Sequence, residues 1–230
     1  MIKALLFDFN GVIINDEPIH MAAYREVLKP EGIDLTEEKY LQCLGMNDRA
    51  FLSAIFEVYE KELPTNKVDS ILEAKTAEWK KIVSEGIPLF DGVSDMIHRM
   101  ESEFTLGLVS MARRAEVEFV LNETGLNKAF SAVITSSDLS TYKPNPECYK
   151  LGFKDVDAAR TRAGKAALTH GQCVAIEDSP PGVQSALGAG LHVLGFAGTV
   201  SREKLLNAGA EVVTENLADW HPDSFKRVFV

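Results

Sequence analysis

A chain of 230 residues, 46% hydrophobic and 25% charged, has room for one large domain or a core with a smaller insert, and its composition excludes a disordered protein. The formal charge of −10 argues against a nucleic-acid binder, and no apolar run is long enough to cross a bilayer. Cys43, Cys148 and Cys173 are scattered, with neither a CxxC pair nor a metal-ligand spacing, which fits a reducing environment. The N-terminus carries one lysine and then an apolar strand, without the small-residue cleavage site of a secretion signal. The expectation is a cytoplasmic protein with no membrane, nucleic-acid or obligate protein partner.

Residues Ile2–Phe7 are apolar except for Lys3, which predicts a buried parallel strand that ends at Asp8. From about Glu17 to Gly86 the pattern changes to helical spacing, as in Ala50, Phe51, Ala54, Ile55 and Val58, punctuated by Gly45 and Pro64. This predicts a helical insert of about four helices over residues 16–86, with residues 1–15 and 87–230 forming the core. After Gly92 strands are expected at Thr105–Val109, Ala132–Thr135, Cys173–Ile176, His192–Leu194 and Glu211–Val213. Helices are expected near Val93–Ser102, Arg114–Thr124, Gly182–Gly188 and Arg202–Ala208. Repeated strand–helix–strand order implies an α/β fold with a doubly wound parallel sheet.

Ligands of such sheets bind outside the carboxyl ends of strands, which directs attention to Asp8, Ser110 and Glu177–Asp178. Asp8 follows a buried strand, where a carboxylate is costly without a partner or a task; it caps a turn at Asn10–Gly11, attacks phosphorus or ligates a hard cation. Ser110 precedes Met111-Ala112-Arg113-Arg114 at the start of a helix, the place of a plain N-cap or of a phosphate oxygen. Lys143, in Tyr142-Lys143-Pro144-Asn145-Pro146, is an exposed loop lysine or a neutraliser of phosphoryl charge. Glu177 and Asp178 are adjacent acids that repel each other unless a cation lies between them, or they are a solvated glutamate and a helix cap.

In this order the four segments resemble the motifs of the haloacid-dehalogenase superfamily. The resemblance covers nearly the whole chain. Gly11-Val12-Ile13-Ile14-Asn15-Asp16-Glu17 and Glu177-Asp178-Ser179-x-x-Gly182 are similar to the β-phosphoglucomutase and phosphoglycolate-phosphatase branch, which has a small helical cap. The resemblance implies a Rossmann-like core and Mg²⁺-dependent hydrolysis of a small phosphorylated metabolite, a sugar phosphate or phosphoglycolate-like ester. Asp8 would become an aspartyl-phosphate, Ser110 and Met111 would bind the phosphoryl group, and Lys143 would stabilise charge on both. Asp8, the main-chain carbonyl of Asn10, Glu177 and Asp178 would hold Mg²⁺.

The sequence departs from that pattern at Asn10, where phosphotransferases of the family carry a second Asp that moves the proton. Carboxamides do not exchange protons in this way, and general acid–base catalysis contributes roughly 10²–10⁴-fold, so a weak phosphatase is expected. Four explanations of Asn10 stand side by side: a natural variant of reduced or redirected activity, a non-catalytic binder of phosphorylated ligands, an engineered substitution, or deamidation at Asn10–Gly11. His20 and Asp16 are candidate replacement proton carriers. The dehalogenase branch also lacks the second Asp but needs no metal, and Glu177–Asp178 argues against it; a mutase needs the acid–base support that Asn10 undermines.

Cap residues choose the substrate by closing over the leaving group. Leu44-Gly45-Met46-Asn47-Asp48-Arg49 resembles the cap loop of this branch, so His20, Gly45, Arg49 and Lys75 are the substrate candidates, with solvated helix charges as the plainer alternative for the two cations. Arg113 and Arg114 are further candidates for phosphate contact.

Overall fold

The apolar runs become six strands in the computed structural model, which describes residues 1–43 and 46–229. They are β1 (Ala4–Phe7), β2 (Thr105–Val109), β3 (Phe130–Ile134), β4 (Cys173–Glu177), β5 (His192–Phe196) and β6 (Val212–Thr214). All pair in parallel in one sheet of order β3-β2-β1-β4-β5-β6. The helices are α1 (Glu17–Leu28), α2 (Glu37–Gln42), α3 (Asp48–Val58), α4 (Val68–Ser84), α5 (Val93–Glu101), α6 (Arg114–Glu123), α7 (Glu147–Arg162), α8 (Pro180–Gly188), α9 (Arg202–Asn207) and α10 (Pro222–Val228). The expected α/β fold with a helical segment after the first strand is the observed one. Residues 1–15 and 89–230 form one compact unit and residues 16–88 a second.

In the first unit every residue of β1 and β4 is buried, as a parallel strand covered on both faces requires. Phe7 lies opposite Leu108 on one side and Ile176 on the other. The carboxyl ends of β1, β2 and β4 are therefore level. The strand order reverses at β1, which is the switch point where such sheets open a crevice. Strand boundaries differ from expectation by a residue or two, as at β1, which starts at Ala4 although the Lys3 N–H still bonds the Gln172 carbonyl at 2.8 Å.

Two helices were not legible beforehand, α7 and α10. The buried face of α7 is Cys148, Tyr149, Gly152 and Val156, a correct helical spacing carried by residues of low hydrophobic weight among charged neighbours. Gly152 is there for space: a Cβ on it would lie 2.6 Å from Val109 Cγ2 and 2.8 Å from Leu6 Cδ2. The helix backbone thus rests directly on β1 and β2. Pro222 opens α10 in the first turn, where its missing N–H costs nothing, and buried Phe225 packs against Trp220 with ring centroids 4.8 Å apart.

The helical unit is built on α1–α4, with Tyr24, Leu28, Phe51, Leu52, Ile55, Phe56, Ile71 and Leu72 in its core. Asn47 caps α3 by accepting from the Ala50 N–H at 2.9 Å. Among the described residues of this unit two charged side chains are buried. Lys75, 1% exposed, lies 3.3 Å from Asp48, whose carboxylate also accepts from the Tyr24 hydroxyl at 2.7 Å. Asp16, equally buried, accepts from the Trp79 indole at 3.0 Å and lies 3.0 Å from His20 Nε2.

Candidate active site

The site grows from the end of β1. The Asp8 N–H bonds the Ile176 carbonyl at 3.0 Å, fixing the residue against β4. The chain then turns tightly, with the N–H groups of Ile13 and Ile14 on the Phe9 carbonyl at 2.8 and 3.1 Å and the side chains of Val12, Ile13 and Ile14 fully buried. Gly11 makes this possible on two counts. Its φ of +77° is a left-handed conformation, and a Cβ on it would lie 1.9 Å from Asp178 Oδ2.

Asp8, Glu177 and Asp178 each offer an oxygen within 4.8 Å of the others, and all three are buried. One cation, Lys143, stands among them, 3.0 Å from Asp8 Oδ1 and 2.6 Å from Glu177 Oε1, and it also donates to the Val109 carbonyl at 3.4 Å. It is no exposed loop lysine: the residue is 8% exposed. Asp8 Oδ1 further accepts from the Phe9 N–H at 2.8 Å, so the carboxylate is held in one orientation. Glu177 also accepts from Tyr149 at 2.7 Å and from Ser179 at 3.2 Å, and Asp178 accepts from the Thr199 hydroxyl.

Three carboxylates around one ammonium leave negative charge uncompensated, and the acidities record it. Burial, then Glu177, pushes Asp8 well above the usual carboxylate range despite Lys143. Asp178 is pushed up to about 7, again by burial and then Glu177, against the opposing pull of Thr199 and Lys143. Burial disfavours the Lys143 ammonium, but Asp8 and Glu177 outweigh it and hold the amine above its ordinary range. A buried set of hard oxygens with excess negative charge, and with no sulfur or imidazole, is chemically suited to a small divalent cation such as Mg²⁺.

The residues expected to bind phosphate follow β2. Ser110 is fully buried, with its N–H on the Ile134 carbonyl at 2.9 Å. Its hydroxyl accepts from the Ala112 N–H at 2.9 Å and donates to the Asn10 side-chain oxygen at 3.5 Å. Position 10 therefore faces the serine at the end of the neighbouring strand. Met111 is partly buried against the apolar core. Arg114 is engaged elsewhere, with Glu118 at 3.3 Å, the Val133 carbonyl at 3.3 Å and Asp138 at 2.6 Å, while Nη1 of Arg113 is buried without a hydrogen-bond partner among the described residues. Deamidation at Asn10 needs the Gly11 nitrogen to attack the carboxamide. That N–H is instead held on the Ile14 carbonyl at 2.9 Å in a buried turn, which opposes the reaction in the folded protein.

The structure thus brings Asp8, Asn10, Ser110, Lys143, Glu177 and Asp178 together from four segments of the first unit. Among the cap candidates, Arg49 is exposed and paired with Asp69, and Lys75 is buried on Asp48 rather than solvated. His20 is held beside Asp16, which does not cap the helix it precedes. Gly45 lies outside the described residues. Tyr149, Ser179 and Thr199 contact the charged cluster and were not anticipated; only Ser179, two residues after Glu177, carried any signal in the sequence.

A family model described as haloacid dehalogenase-like hydrolase matches residues 5–196. The phosphorylated carbohydrates phosphatase of Thermotoga maritima is 26% identical over 211 residues, 90% of this chain and 92% of that one. The fructose-1-phosphate phosphatase YqaB of Escherichia coli is 27% identical over 193 residues, 83% of this chain and 94% of that one. Among solved structures, a mutant of CbbY from Rhodobacter sphaeroides in complex with xylulose-(1,5)bisphosphate has a TM-score of 0.82 at 25% identity, covering 95% of this chain and 96% of that one.

Proposed function

This chain belongs to the haloacid dehalogenase-like hydrolase family, and from that premise we propose that it is a Mg²⁺-dependent phosphatase that hydrolyses the phosphate monoester of a small phosphorylated sugar through Asp8. The observation that carries the reading is the pairing of Asp8 with Lys143 at 3.0 Å inside a buried three-carboxylate cluster. The sugar-phosphate class is supported by the relatives from Thermotoga maritima and Escherichia coli.

In the reaction a carboxylate oxygen of Asp8 bonds to phosphorus while the bond from phosphorus to the ester oxygen breaks. The leaving alkoxide takes its proton from solvent, since the Asn10 carboxamide has none to give. Water then attacks the aspartyl-phosphate, the bond from phosphorus to Asp8 breaks, and phosphate departs as the water proton passes to solvent. Lys143 neutralises charge on Asp8 and on the phosphoryl oxygens, and Ser110 donates its hydroxyl to the phosphoryl group. Asp8, Asp178, Glu177 and the main-chain carbonyl of Asn10 would hold Mg²⁺, which would supply further neutralisation of phosphoryl charge.

Asn10 favours a second reading, a protein that binds phosphorylated ligands without turning them over. Phosphate release from a panel of sugar phosphates in Mg²⁺ separates the two. Slow release by the chain, a gain of about 10²-fold or more in Asn10→Asp, and none in Asp8→Ala are the results expected of a phosphatase short of its proton carrier. No release by either the chain or Asn10→Asp, with ester affinity intact in Asp8→Ala, selects the binder.

A further inference from the structure

Glu177 is wholly buried, and a buried carboxylate is stable only when its oxygens are hydrogen-bonded. Its Oε2 accepts from Ser179 at 3.2 Å, while Oε1 is shared by the Lys143 ammonium at 2.6 Å and the Tyr149 hydroxyl at 2.7 Å. Lys143 has three N–H donors, and Asp8, Glu177 and the Val109 carbonyl give it three acceptors. Where its ammonium points is therefore set by where Glu177 Oε1 is held. Tyr149, in the first turn of α7, is fully buried and touches both partners: its hydroxyl is on Glu177, and its ring centroid is 5.3 Å from the Lys143 nitrogen. A phenylalanine would fill the same space among the apolar side chains of this core. The hydroxyl adds only the bond to Glu177.

We propose that Tyr149 is a positioning residue of the phosphoryl-transfer site, whose hydroxyl fixes Glu177 Oε1 and thereby keeps Lys143 aimed at Asp8 and the three carboxylates in cation-binding register. The proposal rests on the functional reading above. Partners of this kind, one step behind the groups that hold a metal, change affinity or turnover by about 10–100-fold when removed.

The test is Tyr149→Phe, which deletes the hydroxyl and keeps the ring. Calorimetric titration of Mg²⁺ into the metal-free protein, without substrate, should give an affinity about tenfold weaker, and kcat on the best sugar phosphate should fall about tenfold with KM little changed. Melting curves in chelator, taken for Tyr149→Phe, Glu177→Ala and the double variant, guard against a fold defect. In the Glu177→Ala background the hydroxyl is a buried donor without its acceptor, so Tyr149→Phe should then lower neither melting nor affinity. Unchanged Mg²⁺ affinity and kcat in Tyr149→Phe, or an equal loss of melting temperature in both backgrounds, overturns the proposal and leaves Tyr149 as packing. A wild-type chain that binds no Mg²⁺ and hydrolyses no ester overturns the functional reading, and this inference with it; a wild type that binds Mg²⁺ and releases phosphate beside an unaffected Tyr149→Phe overturns the inference alone.

Discussion

Gly11 and Asp178 compete for one small volume at the end of β1, and substitution there has a defined consequence. In Gly11→Ala the new methyl would start 1.9 Å from the Asp178 carboxylate, on a backbone with φ of +77°. The left-handed backbone alone costs about 1–2 kcal/mol, and the displaced carboxylate should weaken Mg²⁺ binding at least tenfold; melting in chelator and calorimetric titration read the two effects separately. Asp178 also sets a pH dependence. Its carboxyl in the metal-free site is pushed up to about 7, so below that pH a proton must leave before a cation can bind. The apparent Mg²⁺ affinity should fall as the pH drops through about 7, with proton release on binding, and the raised Asp8 carboxyl adds to the fall; an affinity flat from pH 5 to 8 contradicts this. Asp8, Ser110, Glu177 and Asp178 were conspicuous in the sequence because each is a polar residue ending an apolar run. Tyr149 and Thr199 were not, because a hydroxyl that bonds a carboxylate across the fold leaves no local pattern.

At the scale of elements, α7 joins the sheet to the site. It carries Tyr149, and it lies close on β1 and β2 only because Gly152 has no side chain. Gly152→Val would drive methyl groups into Val109 and Leu6, and overpacking of this kind typically costs about 1–3 kcal/mol. The variant should melt lower and, because α7 must move off β2, lose Mg²⁺ affinity as well; an unchanged melting temperature would mean that the helix yields freely. The same glycine hid the helix from the sequence, since it removes a hydrophobic mark from the buried face and lowers helix propensity by about 1 kcal/mol. The helical unit makes the complementary point. Its amphipathic spacing at Ala50–Val58 was readable as α3, but the burial of Lys75 against Asp48 was not, because a lone lysine on a helix reads as solvated until its neighbours are known.

For the molecule as a whole, the net charge of −10 and a buried site with three carboxylates to one lysine suit a divalent cation, which under the proposed function would be a structural as well as a chemical component. Mg²⁺ at about 100 times its dissociation constant should stabilise the unit that binds it by roughly 2.7 kcal/mol, and chelation should lower its melting temperature by several degrees; identical melting with and without Mg²⁺ would contradict the assignment. The sequence by itself determined the α/β alternation, the helical segment after β1 and the strand ends to inspect, because apolar runs, helical spacing and strand-end polarity are properties of neighbouring residues. The tertiary structure alone decided which charges meet. Lys143 reaches Glu177 across 34 positions and Ser110 reaches Asn10 across 100, since parallel pairing of β1 with β2 and β4 levels their ends. The acidities of Asp8 and Asp178 follow from that meeting, because burial and a second carboxylate shift a pKa only once the fold has brought them together.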